Sequence, residues 1–302
     1  MIPVIDLSAA EAPALAAAID DALRGAGFFV VTGHGVPAPT IAAAFDAGHR
    51  FFALPEDTKE RWHVDRWPLE RGLKRGFDPL GWQALDPAQP PDVKESFYLG
   101  IEAIGPNQWP DEALLPGFRS ACNVYSAAMQ SLAVRLMGLF EIALGLPAGH
   151  FDAFMRHPTC TTRLLHYPPQ PASAAPGQIG CGAHSDWGAV TLLAQDDAGG
   201  LQVQRADGSW LDATPLPGSL VVNVGDMTQR WTNDRWRSTM HRVINARSGR
   251  ERWSIAYFFD LDAEASIVPL PSCVSAERPA RYGPITAGEH LAEMYRLTTV
   301  SA

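Results

Sequence analysis

The sequence predicts an α+β, mainly β fold: a sandwich or double-sheet jelly-roll core, flanked by N-terminal helices, one long backing helix and a C-terminal helix. Three observations carry this. From about residue 160 to 260 the chain runs as short apolar segments separated by Gly, Pro, Asp and Ser clusters, the pattern of many short strands in a double sheet. Between Pro116 and Leu146, the residues Phe118, Cys122, Tyr125, Met129, Leu132, Leu136, Leu139 and Ala143 recur at spacings of three and four, which predicts a long helix with one core face. The 302 residues are enough to bury a large core without disulfides or a structural metal.

The elements follow in order. Ile2 to Leu7 reads as a short strand, and Ser8 as the N-cap of a helix that Gly25 and Gly27 close. Phe28 to Val31 is a strand, residues 33–37 a turn, and Thr40 to Leu54 a helix, with a further short helix over Asp57 to His63. Arg66 to Pro91 is dense in Gly, Pro and Trp and reads as irregular; a loop of this length inside a domain is usually functional or disordered. Lys94 to Leu99 is a strand. After the long helix come strands over Thr161 to Tyr167, Gly182 to Gln195, Leu201 to Arg205, Leu220 to Val224, His241 to Ala246 and Arg252 to Phe259, then an amphipathic helix at 285–299. These fall into an N-terminal region 1–115, a backing helix and connection 116–158, a jelly-roll core 159–262 and a C-terminal extension 263–302.

Composition excludes several classes. A net charge of -9, from 24 Lys+Arg against 33 Asp+Glu, gives no basis for a nucleic-acid partner, which needs clustered positive charge. The densest basic stretch, Arg61 to Arg75, includes Asp65 and Glu70 and reads as a solvated loop. Cys122, Cys160, Cys181 and Cys273 form no CxxC pair, and their sparse use fits a reducing compartment. Residues 120–145 are mostly apolar, but Asn123, Gln130, Arg135 and Glu141 suit a buried helix rather than a membrane span. The N-terminus lacks a secretory pattern. A monomeric cytoplasmic protein without a membrane partner is expected.

Chemistry concentrates in the strand-rich half. In HSDWGAVTLL, His184 and Asp186 stand two apart at the head of an apolar run; on a strand such residues share a face, roughly 6.5 to 7 Å apart. An HxD pair alone is weak evidence, and a strand cap explains it as well. Among the other histidines, His34 lies in a turn, His49, His63 and His290 read as helix-surface residues, His150 and His157 flank a helix end, and His166 and His241 lie on strands. Only His241 has polar residues organised around it. HRVINARSGRERWSIAYFF reads as a hairpin centred on Ser248 and Gly249, pairing His241 with Ala256 and Val243 with Ser254. His241, Arg252 and Ser254 then share a face, with Arg252 about 13 Å from His241, in position for the far end of a small anion whose near end binds a metal. Two imidazoles and one carboxylate on one side of a six-coordinate ion leave three open positions, which suits non-haem Fe(II).

With these residues in place, the sequence resembles the isopenicillin N synthase-like family of Fe(II)/2-oxoglutarate-dependent dioxygenases over most of its length. IPVIDLS, GFFVVTGHGVP, FFALPEDTKER and KESFYLG are similar to the family's first half, and RLLHYPP, HSDWGAVTLLAQDDAGGLQV, GDMTQRWTNDRWRSTMHRVIN and RWSIAYFF to its catalytic core. The joint pattern of HxD, a histidine 57 residues on and RxS 11 residues later is far more specific than any part. The resemblance implies a double-stranded β-helix core, with Fe(II) on His184, Asp186 and His241, and the distal carboxylate of the cosubstrate 2-oxoglutarate on Arg252, Ser254 and Tyr167. It implies a dioxygenase that uses dioxygen to oxidise, most simply to hydroxylate, a small-molecule substrate while 2-oxoglutarate becomes succinate and CO2. Many relatives carry asparagine where this chain has Leu165. Trp187, Phe258 and Trp82 read first as plain core, with a place in the substrate pocket as the alternative, and Thr232, Asn233 and Asp234 read as a turn. A 2-oxoglutarate-independent oxidase of the same fold, a zinc-type hydrolase or isomerase, and a non-catalytic binding protein stay open on the sequence.

Overall fold

Short β-branched and aromatic segments pair into two large sheets and one two-stranded ribbon, and the computed structural model describes them over residues 1–66, 73–84, 89–170, 174–245 and 249–298. The first half contributes β1 (Val4–Asp6), α1 (Ala12–Gly25), β2 (Phe28–Thr32), α2 (Ala38–Phe52), α3 (Glu56–Lys59), β3 (Gly76–Asp78), β4 (Glu95–Gly100) and α4 (Phe118–Ala143). The second half holds β5 (Thr161–Tyr167), β6 (Cys181–His184), β7 (Val190–Gln195), β8 (Leu201–Gln204), β9 (Trp210–Asp212), β10 (Leu220–Val224), α5 (Asp226–Trp231), β11 (His241–Val243) and β12 (Arg252–Phe259). β13 (Ser266–Ile267), β14 (Ile285–Thr286) and α6 (Ala287–Thr298) end the chain. Eight strands form one sheet in the order β1-β2-β10-β7-β12-β5-β4-β3, and four form the other in the order β6-β11-β8-β9. All pairs in these two sheets are antiparallel except β1 with β2.

The period of two along a strand sends alternate residues into two cores. On β12, Ile255, Tyr257 and Phe259 join the outer core beneath α1, α2 and α4, while Ala256 and Phe258 face the inner cluster with Val30, Leu165, Tyr167, Val203, Val221 and Val243. The face of α4 drawn by the three-and-four spacing is the buried one, from Phe118 through Leu139. An aromatic knot ties helices to sheet: Phe51 of α2 has ring centroids 4.5 Å from Phe97, 5.8 Å from Phe77 and 5.8 Å from Phe118.

Several sequence expectations change. Gly182 to Gln195 is two strands, β6 and β7, in different sheets, because the chain turns between them. The expected hairpin pairing of His241 with Ala256 does not form: β11 pairs with β6 and β8, and β12 with β5 and β7. β12 takes an interior place in the eight-stranded sheet, where its outer face packs with the helices, a non-local arrangement that a local turn does not specify. Ser8 donates to Asp6 Oδ1 at 2.6 Å, and α1 begins after Glu11. Arg75, His63 and His290 are buried instead of solvated, and Trp82 is half exposed. Glu70, Arg71 and Ser248 lie outside the described residues. Among the described residues no helix is long and apolar enough to cross a membrane.

Phe51→Ala should empty the centre of the aromatic knot and destabilise the protein by about 3–5 kcal/mol. A fall in the urea midpoint at unchanged slope reads this out; a midpoint equal to that of the unaltered protein contradicts the packing described.

Candidate active site

The four-stranded sheet sets two imidazoles side by side. His184 ends β6, His241 begins β11, and the two are direct cross-strand partners with ring centroids 4.2 Å apart. Each ring is oriented from behind: Nδ1 of His184 lies 2.8 Å from the Gly182 carbonyl and Nδ1 of His241 lies 3.1 Å from the Thr239 carbonyl. A carbonyl only accepts, so Nδ1 carries the proton in both rings and Nε2 keeps its lone pair for a metal. Phe28 of β2 packs edge-on against His241 at 5.3 Å and limits its rotation. Cys181 Sγ approaches His184 from the Nδ1 side, at 3.9 Å.

Asp186 lies beyond the end of β6, in the turn toward β7, and is fixed by the other sheet. Its Oδ2 accepts from Thr191 Oγ1 and from Asn223 Nδ2, each at 2.6 Å. Thr191 of β7 and Asn223 of β10 are themselves cross-strand partners, so two adjacent strands hold one oxygen. The other, Oδ1, points at the imidazoles, 4.0 Å from His184 Nε2 and 3.7 Å from His241 Nε2. The backbone behind Asp186 is tight: its carbonyl accepts from the Asp226 amide at 2.8 Å, and a Cβ on Gly225 would collide with the Gly188 carbonyl.

Burial sets the charge states. It pushes the His184 pKa down against the pull of Asp186. It takes His241 down to about 4, with His184 adding to the effect. Burial alone would raise Asp186, but His241, His184 and the hydrogen bonds from Thr191 and Asn223 outweigh it and hold the carboxyl below its ordinary range. At neutral pH the three groups are therefore two neutral imidazoles and one carboxylate. Donor atoms of all three lie within 4.8 Å of one another, close enough for a single ion with bonds of about 2 Å. The remaining polar atoms, two Nδ1 and one Oδ2, are engaged elsewhere, so this donor set fits one ion with an open side and suits Fe(II).

Arg252 starts β12 on the eight-stranded sheet and is 1% exposed. Its Nε donates to the Gly199 carbonyl at 2.8 Å, Nη1 to Ser254 Oγ at 2.9 Å and Nη2 to Gln195 Oε1 at 3.3 Å. Tyr167 is its cross-strand partner on β5, and the guanidinium lies 4.7 Å over the phenol ring. Ser254 pairs with Leu165, which is buried in the inner cluster and offers no polar atom. The sequence placed Arg252 and Ser254 on the side of the metal ligands; they do face inward, but from the opposite sheet.

A jelly roll with two neutral imidazoles and one carboxylate around an open position defines the class of mononuclear non-haem metal oxygenases. Residues 158–261 match the 2OG-Fe(II) oxygenase superfamily, and residues 2–112 match the non-haem dioxygenase in morphine synthesis N-terminal family. The 2-oxoglutarate-Fe(II) type oxidoreductase hxnY of Emericella nidulans is 38% identical over 288 residues, covering 89% of this chain and 80% of that protein. Validamycin A dioxygenase of Streptomyces hygroscopicus subsp. limoneus is 35% identical, over 90% of this chain and 80% of that protein. The crystal structure of a full-length Neurospora crassa protein in complex with alpha-KG and thymine superposes with a TM-score of 0.90 at 33% identity, covering 99% of this chain and 97% of that one. The chain belongs to the 2-oxoglutarate–Fe(II) oxygenase superfamily, as its resemblance to the isopenicillin N synthase-like enzymes implied. It is an Fe(II)- and 2-oxoglutarate-dependent dioxygenase, with dioxygen as the oxidant.

Sequence reasoning missed Thr191 and Asn223. Each is a lone polar residue inside an apolar strand, in AVTLL and LVVNV, and that is the signal that would have found them, since a buried polar group needs a partner. Of the candidate pocket residues, Trp187 and Phe258 are partly buried, and Phe258 packs against the inner cluster as core.

Asn223→Ala should leave Asp186 Oδ2 one donor short and lower Co(II) or Fe(II) affinity about 10–100-fold, read by metal titration; unchanged affinity contradicts the orienting role. Because the folded protein holds His241 near 4, protons compete with the metal only as pH falls toward that value, well below the usual 6.5 of histidine. Co(II) affinity should thus change little between pH 8 and pH 6, and a tenfold fall over that interval would contradict the burial effect.

Proposed function

We propose that His184, Asp186 and His241 hold Fe(II), and that Arg252, Ser254 and Tyr167 receive the distal carboxylate of 2-oxoglutarate, in an enzyme that hydroxylates a small molecule. Arg252 carries this reading. Among the described residues its hydrogen-bond partners are a carbonyl, a hydroxyl and an amide oxygen, with no carboxylate. A buried cation of this kind is costly unless an anion meets it. A dicarboxylate with a keto-acid end for the metal and a carboxylate end for Arg252 spans the interior between the two sheets.

When bound, Fe(II) supplies the activation of dioxygen that couples decarboxylation of 2-oxoglutarate to oxidation of the substrate. The chain supplies position. Gly199 and Gln195 fix the guanidinium plane, and the Tyr167 face beneath it blocks the alternative approach. Ser254 has its oxygen occupied by Arg252 as acceptor, which leaves its proton free to donate to a carboxylate on the same side. Leu165 and the inner cluster exclude water around the cosubstrate chain.

The small-molecule reading is supported by related structures whose ligands include thymine and JA, and by relatives named for auxin oxidation. We read residues 159–262 as the catalytic core, with 1–115, 116–158 and 263–302 packed around it. We read the protein as a cytoplasmic monomer acting without nucleic acid or membrane, given its net charge of -9 and sparse cysteines.

Arg252→Ala should raise the KM for 2-oxoglutarate by about 30-fold or more, the loss of a buried charge partner, whereas Ser254→Ala should raise it by about 3- to 10-fold, the loss of one hydrogen bond. Succinate release with varied 2-oxoglutarate measures both. A folded Arg252→Ala protein with unchanged KM contradicts the assignment.

A further inference from the structure

His184 owes its place opposite His241 to one extra residue in β6. The two strands start in register with Val243 opposite Cys181, and an antiparallel ladder run regularly from there would set His241 opposite Ala183. It sets His241 opposite His184 instead, so β6 uses one residue more than β11 over the same interval. A bulge of this kind re-aims a side chain, because a one-residue step along a strand exchanges its two faces. In the regular register His184 would turn to the other face, and Ala183 would stand beside His241.

β6 lies at the edge of its sheet, so no second strand fixes this irregularity. Side chains do so instead. The Gly182 amide, inside the bulge, donates to Asp92 Oδ1 at 2.8 Å, and the Gly182 carbonyl accepts from His184 Nδ1 at 2.8 Å. Both backbone groups of Gly182 are thus taken. Asp92 and Lys94 are each 3% exposed, and the Lys94 ammonium pairs with the other oxygen, Oδ2. That pairing supplies the counter-charge a buried carboxylate needs. Lys94 also reaches the thiol of Cys181, where the regular register ends. The two residues come from the approach to β4 of the eight-stranded sheet, which is itself anchored. The Asp92 amide donates to the Gln83 carbonyl at 2.8 Å and the Val93 amide to the Ile179 carbonyl at 2.9 Å, while the Val93 carbonyl accepts from Asn245 Nδ2 at 3.1 Å.

We propose that Asp92, with Lys94 as its counter-charge, is a positioning residue for the metal site: it locks the extra residue of β6 and so sets the His184 imidazole opposite His241. This rests on the reading of His184 and His241 as metal ligands. The segment before β4 thereby holds His184 as Thr191 and Asn223 hold Asp186, each time from the eight-stranded sheet and through a buried carboxylate. A carboxylate that served only to fix its own segment would not need an oxygen aimed at the edge amide of the other sheet.

The test uses two double variants of the full-length protein, both lacking the buried charge pair. Asp92→Asn with Lys94→Met keeps an oxygen for the Gly182 amide, and Asp92→Leu with Lys94→Met does not. Each is loaded with substoichiometric Cu(II), and electron spin-echo envelope modulation counts the imidazoles on the ion, a number that loss of stability alone does not change. The unaltered protein and the Asn variant should show two imidazoles and the Leu variant one, with Co(II) affinity lower by about 10–100-fold in the Leu variant alone. Two imidazoles in the Leu variant, or one in both variants, overturns the proposal. Fewer than two in the unaltered protein removes the ligand reading beneath it. Amide hydrogen exchange checks the same bond without any variant: in the unaltered protein Gly182 should exchange as slowly as the paired amides of β11, and exchange as fast as that of an open strand edge overturns the proposal.

Discussion

Asp186 divides its carboxylate between the two sheets. Oδ2 is taken by Thr191 and Asn223 of the eight-stranded sheet, and Oδ1 faces His184 and His241 of the four-stranded sheet. Neither sheet alone completes a metal site. The spacing between them, set by Val203, Val221, Val243 and Ala256 in the inner cluster, therefore fixes the spacing of the ligands. A two-sided hold of this kind is stiff, since moving Asp186 breaks charge-assisted bonds in a buried setting.

Burial keeps the imidazoles neutral, while the neighbouring histidines and the hydrogen bonds from Thr191 and Asn223 keep Asp186 ionised against it. A depressed imidazole pair and a stabilised carboxylate give the site a formal charge of minus one before any ion arrives, which draws a cation in and leaves the deeper wall free to be positive. That wall is Arg252. Charge thus changes across the interior, from the anionic triad to the cationic Arg252, with the apolar Leu165 and Ala256 beside it.

The part of this legible in the sequence follows from local period. The two-residue alternation put Arg252, Ser254 and Ala256 on one face, and the HxD pair with His241 marked the ligands. Which strands pair is a non-local matter. The turn residues near Gly249 suggested a hairpin, yet β12 lies inside the eight-stranded sheet between β5 and β7, with its outer face packed against the helices, and β11 went to the other sheet. His184 and Asp186 share a face by a turn and not by a continuous strand. Arg75, His63 and His290 looked solvated because nothing local shows that another element closes over them; His290 reaches the Trp187 carbonyl at 3.0 Å from the distant α6. Thr191 and Asn223 were visible only as polar residues in apolar strands, a signal whose meaning depends on what lies opposite.

The central claim is that one interior binds a keto acid at both ends, with metal on one side and Arg252 on the other. Anaerobic titration of the Fe(II)-loaded protein with 2-oxoglutarate and, separately, with pyruvate, which keeps the keto-acid end but lacks the distal carboxylate, tests it most directly. The visible charge-transfer absorption of a keto acid on Fe(II) should appear with both and saturate at far lower concentration with 2-oxoglutarate. No absorption with 2-oxoglutarate, or equal half-saturation for the two, would contradict the account.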